Sequence, residues 1–135
     1  MLRSIRGTGS PRRRPRVYAA AQEREVDMQA WELNEIDASR ATEGRLYREF
    51  LRVPDLSAGL YVLERGATDP QSPHTEDELY YVAAGRGVVT VGDETREVTT
   101  GSLVFVPATV PHRFGEITER LEILVVFGPA EAVRG

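Results

Sequence analysis

The chain has no cysteine and no lysine, and it has only two histidines among its 135 residues. Without cysteine, the protein has no disulfide scaffold, no thiolate metal ligand and no thiol nucleophile. Without lysine, a mechanism that begins with a Schiff base on the protein is excluded. Any metal ion bound by side chains must therefore use nitrogen and oxygen donors.

The sequence also lacks a run of ~20 apolar residues, the length that a helix needs to cross a bilayer, so no membrane association is expected. Apolar residues make up 41% and charged residues 28% of the chain, the balance of a soluble globular protein. No apolar stretch suited to an export signal follows the Arg-rich N-terminus, so we expect a cytoplasmic location. A chain of 135 residues has the size of one domain.

Basic residues are concentrated at the N-terminus. Residues 1–16 contain six of the 17 arginines and no acid, and all 21 acids lie in the rest of the chain. An acidic body repels phosphate backbones, so we expect it to bind no nucleic acid. We predict a disordered basic extension over residues 1–27, a folded domain over 28–130 and a short tail over 131–135.

Short apolar segments separated by Gly, Asp and Pro dominate the sequence from residue 29 onward. Strands of this length, with no convincing helix after the N-terminal third, predict an all-β barrel or sandwich. The one helical candidate covers residues 19–24, and hairpin turns are expected at 85–87 and 92–94. The predicted strands cover residues 29–34, 45–52, 56–64, 78–84, 88–91, 95–98, 103–106, 112–116 and 121–127.

His74, Glu78 and His112 are candidate metal ligands. Two imidazoles and one carboxylate form a facial triad that leaves coordination positions open for a substrate or dioxygen. The alternatives are two unrelated histidines and a solvated acid in the cluster of Glu76, Asp77 and Glu78. Both histidines follow a proline, whose fixed φ helps to aim the next side chain. Because Glu78 also begins an apolar run, we favour the metal site and interpret Glu76 and Asp77 as surface acids.

The spacing of these residues resembles the two motifs of the cupin superfamily. The first motif is G-x5-H-x-H-x3,4-E-x6-G. Gly66, His74, Glu78 and Gly85 match it, and Ser72 stands where the family has its first histidine. A serine hydroxyl is a poor ligand for a divalent metal at neutral pH, so the resemblance implies three protein ligands instead of four and a more weakly held metal.

The second motif, G-x5-P-x-G-x2-H-x3-N, is matched by Gly101, Pro107 and His112. Thr109 stands in place of the second Gly and Glu116 in place of Asn. Thr109 is unsuited to the positive φ that Gly accepts freely. Glu116 has the same strand parity as His112, so it is a candidate to support that ligand by a hydrogen bond.

The resemblance covers about residues 29–128. It implies an all-β, cupin-type β-barrel, also described as a double-stranded β-helix or jelly roll, and a homodimer. It also implies one divalent metal ion, Fe(II), Mn, Ni or Zn, held inside the barrel by His74, Glu78 and His112.

Two classes of function fit this site. The first is a metal-dependent enzyme that acts on a small organic substrate, either as a dioxygenase or as a Lewis-acid isomerase or cyclase. Tyr80, on the same strand face as Glu78, and Ser72 are then candidate catalytic residues that donate hydrogen bonds to the substrate. The second is a non-catalytic cupin that binds a small ligand, with a structural metal or none. Ser72 favours the second class, and the fold does not separate them.

Overall fold

The computed structural model describes residues 27–70 and 73–132. The chain divides into two compact units, residues 1–30 and 31–135. Of the first unit, only residues 27–30 are described, and they form neither helix nor strand. The predicted basic extension up to residue 26 and the helical candidate at 19–24 therefore lie outside the described residues. No helix in the described part of the chain is long and apolar enough to cross a membrane.

Six antiparallel strands form most of the second unit, which confirms the predicted all-β class. The sheet has the order β1-β2-β6-β3-β4, and β5 pairs with β3 as well. Strands β1 and β2 pair with each other inside this chain. The strands are β1 (Tyr47–Val53), β2 (Leu56–Leu63), β3 (Asp77–Val91), β4 (Glu94–Thr99), β5 (Leu103–Val106) and β6 (His112–Gly128).

Strands β3 and β6 are each about twice as long as predicted. The sequence indicates a hairpin turn at 85–87 and a break after residue 116, and both predictions are wrong because each strand continues through the interruption. The ladder bends there instead, with register shifts between Val82 and Val88. Gly85, at φ 103°, lies so close to β6 that a Cβ would be 2.0 Å from the Arg120 carbonyl oxygen. This glycine marks a bulge and a close backbone approach.

The single helix of the described residues, α1 (Leu33–Glu43), begins within residues 29–34, the segment predicted to be a strand. The prediction of a strand over residues 29–34 is wrong. The helix ends at Gly44, whose φ of 69° lets its N–H donate to the Ala41 carbonyl. Only Ile36 and Leu33 contribute apolar side chains to the packing, so no helical period is visible in the sequence.

The core lies on the inner face of β2, β3 and β6. Alternate residues of β6 point inward and are buried, as period two requires. Strand β2 is buried along both faces, because Ile36 of α1 packs against Leu60 and Val62 on its outer face. The fully enclosed members of the main core are Leu63, Tyr80, Val82, Val98, Leu121 and Ile123.

Candidate metal centre

Three different segments carry the predicted ligands to the inside of the sheet. His74 lies in the loop before β3, Glu78 is the second residue of β3, and His112 is the first residue of β6. All three side chains are buried. One donor atom of each lies within 4.8 Å of the others, so the structure brings together the three residues that the sequence singled out.

The bend in the long ladder is what makes this meeting possible. Glu78 pairs in register with Phe127, whereas His112 pairs with Val91 at the opposite end of the β3–β6 ladder. The side chains nevertheless meet, with Nε2 of His112 3.0 Å from Oε1 of Glu78. A flat sheet would hold these residues more than ten positions apart, at ~3.3 Å per residue.

The His112 ring is fixed by a backbone carbonyl. Its Nδ1 lies 2.8 Å from the Val110 carbonyl oxygen, which can only accept, so Nδ1 carries the proton. Nε2 is then directed at Glu78. Burial lowers the pKa of His112, but the Glu78 carboxylate and the Val110 carbonyl raise it by more, so the net pKa shift is upward.

His74 is held from two sides. Its carbonyl oxygen accepts a hydrogen bond from the Thr109 N–H at 2.6 Å, and its ring lies edge-on to Phe127 at a centroid distance of 4.9 Å. Thr109 makes this contact at φ 68°, the left-handed conformation for which its side chain is unsuited. Nδ1 of His74 is 3.3 Å from Oε2 of Glu131.

The donors fit a divalent metal ion. Oε1 of Glu78 and Nε2 of His112 are fully buried and 3.0 Å apart, yet they form no hydrogen bond of acceptable geometry and have no other hydrogen-bond partner among the described residues. Buried polar atoms without partners are costly, and a shared cation would satisfy both at once. Two imidazoles and a carboxylate are ligands for Fe, Mn, Ni or Zn.

A small cavity adjoins two of the three donors, His74 and Glu78. Its volume is about 120 Å³, and both carboxylates and aromatic groups face it. Carboxylate groups from two segments give it an acidic character that suits a cation. Its lining consists of Tyr47, Tyr61, His74, Glu78, Val125, Phe127 and Glu131.

Tyr47 reaches this cavity because Gly59 leaves room for it. A Cβ at Gly59 would lie 2.3 Å from the Tyr47 ring, so any larger residue there would displace the phenol. The Tyr47 hydroxyl is buried and has no hydrogen-bond partner among the described residues. Burial raises the pKa of Tyr47 strongly, and Glu131 adds to the shift, so the hydroxyl stays protonated and remains a donor.

The two residues predicted to donate hydrogen bonds to a substrate are Ser72 and Tyr80. Ser72 lies outside the described residues. Tyr80 does share the inner face with Glu78, with its ring 4.8 Å from Phe114 and 6.1 Å from His112. The cavity is lined by Tyr47 and Tyr61 and not by Tyr80, so a hydrogen bond from Tyr80 to a substrate stays a prediction.

The structure places two acids near the ligands, Glu76 and Glu116, differently from what the sequence predicts. Glu76, predicted to be a surface acid, is 5% exposed, and its Oε2 accepts hydrogen bonds from Thr75 Oγ1 and the Ala132 N–H. That prediction is wrong, although Asp77 is exposed as expected. Glu116 is also exposed, and the Val110 carbonyl takes the supporting position that the motif suggested for Glu116.

Sequence reasoning missed three residues around the centre. Asp69 is buried and anchors the loop that leads to His74, because its carboxylate accepts from the Tyr61 hydroxyl and from the Phe114 N–H at 2.8 Å. Tyr47 and Glu131 line the cavity from segments that carry no motif. Gly59, in the middle of an otherwise apolar strand, was the one signal of a close approach there.

Comparisons with known proteins agree with this geometry. The cupin-domain family model matches residues 59–127. An uncharacterized protein of Streptomyces coelicolor is 50% identical over 105 residues, which are 78% of this chain and 100% of that protein. A solved structure from Bacillus halodurans has a TM-score of 0.64 at 19% identity and covers 82% of this chain and 86% of its own.

A second similar structure is an RmlC-like cupin from Shewanella frigidimarina. It has a TM-score of 0.58 at 24% identity and covers 62% of this chain and 75% of its own. These structures confirm the jelly-roll fold that the motif spacing implies. With the family model matching half of the chain and the ligand positions of both motifs meeting in the structure, the chain belongs to the cupin family.

Proposed function

We propose that the protein is a metal-dependent cupin enzyme that acts on a small organic substrate. The observation that carries the proposal is the convergence of His74, Glu78 and His112, whose donor atoms lie within 4.8 Å of one another. Two of these residues, His74 and Glu78, also line the small cavity. Fe(II), Mn, Ni or Zn is the cofactor. Three protein ligands leave coordination positions open, which is what a catalytic site requires and a purely structural site does not.

The bound metal would supply one of two chemistries, activation of dioxygen or polarisation of a carbonyl for isomerisation or cyclisation. The residues of the chain then have separate tasks. His74, Glu78 and His112 hold the ion, and the apolar side chains of Val125 and Phe127 exclude water from one wall of the cavity. The Tyr47 hydroxyl, which stays protonated, is placed to donate a hydrogen bond to a substrate oxygen.

The size of the cavity limits the substrate. A volume of about 120 Å³ accommodates a compact molecule or one end of a longer one. The carboxylates of Glu78 and Glu131 disfavour an anionic group that does not bind the metal directly. A small hydroxylated or carbonyl compound fits both conditions.

Metal content tests the site itself. Protein purified without chelator is analysed for its elements, together with His74→Ala and His112→Ala variants and a Glu97→Gln control on the exposed part of β4. We expect a transition metal in the native protein and the control and a loss of metal from both histidine variants. Unchanged metal content in the histidine variants would contradict the assignment of the ligands.

A second candidate is a non-catalytic cupin that binds a small ligand. Ser72, in place of a histidine ligand, favours it because a weaker site retains metal less well. Two reconstitution experiments separate the candidates. Protein loaded with Fe(II) is assayed for oxygen uptake with phenols and diketones, and protein loaded with Zn or Mn is assayed for isomerisation of hydroxyketones. Ligand binding without turnover under any metal would favour the binding protein.

We also propose that the protein forms a homodimer through the outer face of β3 and β5. Leu79 and Tyr81 of β3 lie opposite Phe105 and Leu103 of β5, and all four side chains are exposed. An exposed patch of four apolar side chains marks an interaction surface, and a two-fold axis would bury this patch against the same patch of a second copy of the chain. Light scattering after size exclusion measures the mass, and a monomer at micromolar concentration would contradict the dimer.

A further inference from the structure

Glu131 approaches the centre from outside the part of the chain that the family model matches. The match ends at residue 127, whereas Glu131 follows β6 in the C-terminal segment. Its carboxylate is 19% exposed, lines the cavity and places Oε2 3.3 Å from Nδ1 of His74. This contact joins a residue without a motif to a ligand of the metal.

The backbone around Glu131 is fixed at several points. The Glu131 N–H donates to Ser57 Oγ at 2.8 Å, and the Glu131 carbonyl accepts from Arg52 Nη2 at 2.6 Å. The next residue, Ala132, donates its N–H to Oε2 of the buried Glu76 at 2.9 Å. The segment is therefore held against β1 and β2, and the carboxylate of Glu131 projects from a rigid support.

The two histidines are held in parallel ways. Nδ1 of His112 is hydrogen-bonded to the Val110 carbonyl at 2.8 Å, and Nδ1 of His74 faces the Glu131 carboxylate at 3.3 Å. A neutral imidazole carries one N–H, so an acceptor at Nδ1 selects the tautomer whose Nε2 lone pair is available to a metal. Glu131 is not in the group of donors that lie within 4.8 Å of one another, so its contact with the centre runs through His74.

We propose that Glu131 is a positioning residue of the metal centre. Its carboxylate accepts a hydrogen bond from Nδ1–H of His74 and so fixes the tautomer and the ring orientation that present Nε2 to the metal. Such a partner also raises the basicity of the ligand. Its contribution is greater here than in a site with four ligands, because Ser72 replaces a histidine and each remaining ligand carries more of the affinity.

The inference rests on the proposed metal site, and the first test uses the native protein. Untagged, ¹⁵N-labelled protein loaded with Zn(II) contains only two imidazoles, so its long-range ¹H–¹⁵N spectrum shows two ring systems. The His74 ring is identified by its proximity to Phe127. We expect a protonated Nδ1 and a zinc-bound Nε2 in His74, and zinc bound to Nδ1 would overturn the proposal.

The second test measures Zn(II) affinity by calorimetry with a competing chelator. We expect Glu131→Ala to weaken binding by about 10–100-fold, the usual effect of removing the acceptor behind a histidine ligand. Glu131→Gln should lose less, because its amide oxygen still accepts a hydrogen bond, whereas a direct carboxylate ligand would not be rescued by Gln. The Glu97→Gln control removes the same charge from an exposed site on β4 and should leave the affinity unchanged.

The outcomes separate the two proposals. No zinc binding by the native protein contradicts the metal site itself. Zinc binding by the native protein and an unchanged dissociation constant in Glu131→Ala contradict only the role of Glu131. Thermal unfolding of the metal-free variants shows whether they fold, and a variant that does not fold leaves the ¹⁵N measurement on the native protein to decide.

Discussion

The two faces of β3 invert the usual pattern of a half-buried strand. On its inner face Glu78, an acid, is 2% exposed, while on its outer face Leu79 is 42% exposed. The ordinary arrangement places polar residues outward and apolar residues inward. A carboxylate inside and an apolar side chain outside both cost free energy in an isolated domain. The proposed cation would offset the first cost, and the proposed second copy of the chain would offset the other.

The largest expected effect comes from a leucine-to-alanine substitution in the core, compared with the same substitution on the exposed outer face. Leu121 of β6 is fully enclosed in the core, whereas Leu103 of β5 is 63% exposed. We expect Leu121→Ala to lower the free energy of unfolding by about 2–5 kcal/mol because it leaves a cavity. For Leu103→Ala we expect a change within about 0.5 kcal/mol in the monomer. Urea denaturation measures both, and similar losses would mean that the outer face is already packed within one chain.

The outer face is tested next by adding charge. Leu103→Arg together with Phe105→Arg should shift the proposed dimer towards monomer, since each apolar side chain buried in the interface would contribute about 1.5–3 kcal/mol. Sedimentation velocity across a concentration series gives the dissociation constant. The metal affinity should stay unchanged, because neither residue lines the cavity. A loss of metal in this variant would show that the two faces are coupled.

The inner face is tested by removing one hydroxyl. Tyr47→Phe deletes a buried donor that has no partner among the described residues. We expect the metal-free protein to become more stable by about 1 kcal/mol, because an unsatisfied polar group is removed from the interior. The affinity for a hydroxyketone should fall while the zinc affinity is retained. Lower stability of the metal-free variant would show that the hydroxyl is already satisfied.

The smallest expected effect is a pH dependence of the metal-free protein. The pKa of His112 is raised above its ordinary value of 6.5 by Glu78 and Val110, despite burial. The protonated His112 therefore makes its full contribution to the free energy of unfolding below pH 6.5. This contribution is lost as the pH rises through the higher pKa of His112 in the folded state. Glu78→Gln should reduce this loss. Chemical denaturation between pH 5 and 9 measures both proteins, and a steeper loss in Glu78→Gln would contradict the role of Glu78.

Much of the centre could be predicted because its ligands are encoded by residue type and spacing. His74 and His112 are the two histidines of the chain and stand with Glu78 at motif positions, and all three meet in the structure. The strand boundaries were less predictable where a glycine is compatible with either a turn or a bulge. Gly85 reads as a turn in the sequence, but it is a bulge within β3, because only the neighbouring backbone of β6 distinguishes the two.

The helix and the outer parts of the site were not predictable. Helix α1 has too few apolar residues to show a period, and its packing against β2 stabilises it. Tyr47 and Glu131 carry no motif, and their positions depend on the space at Gly59 and on the hydrogen bonds that hold the C-terminal segment.

The sequence alone determined which atoms are available for chemistry: nitrogen and oxygen donors, with no thiolate and no lysine amine. It also determined the strand alternation that places Glu78 on an inward face. Tertiary structure alone decided that Glu78 and His112, at opposite ends of one ladder, meet across a bend. It also decided that Glu131 faces His74. The physical reason is that local pattern specifies the face on which a side chain lies, whereas the curvature of the sheet and the path of the terminal segment come from packing between residues far apart in the chain.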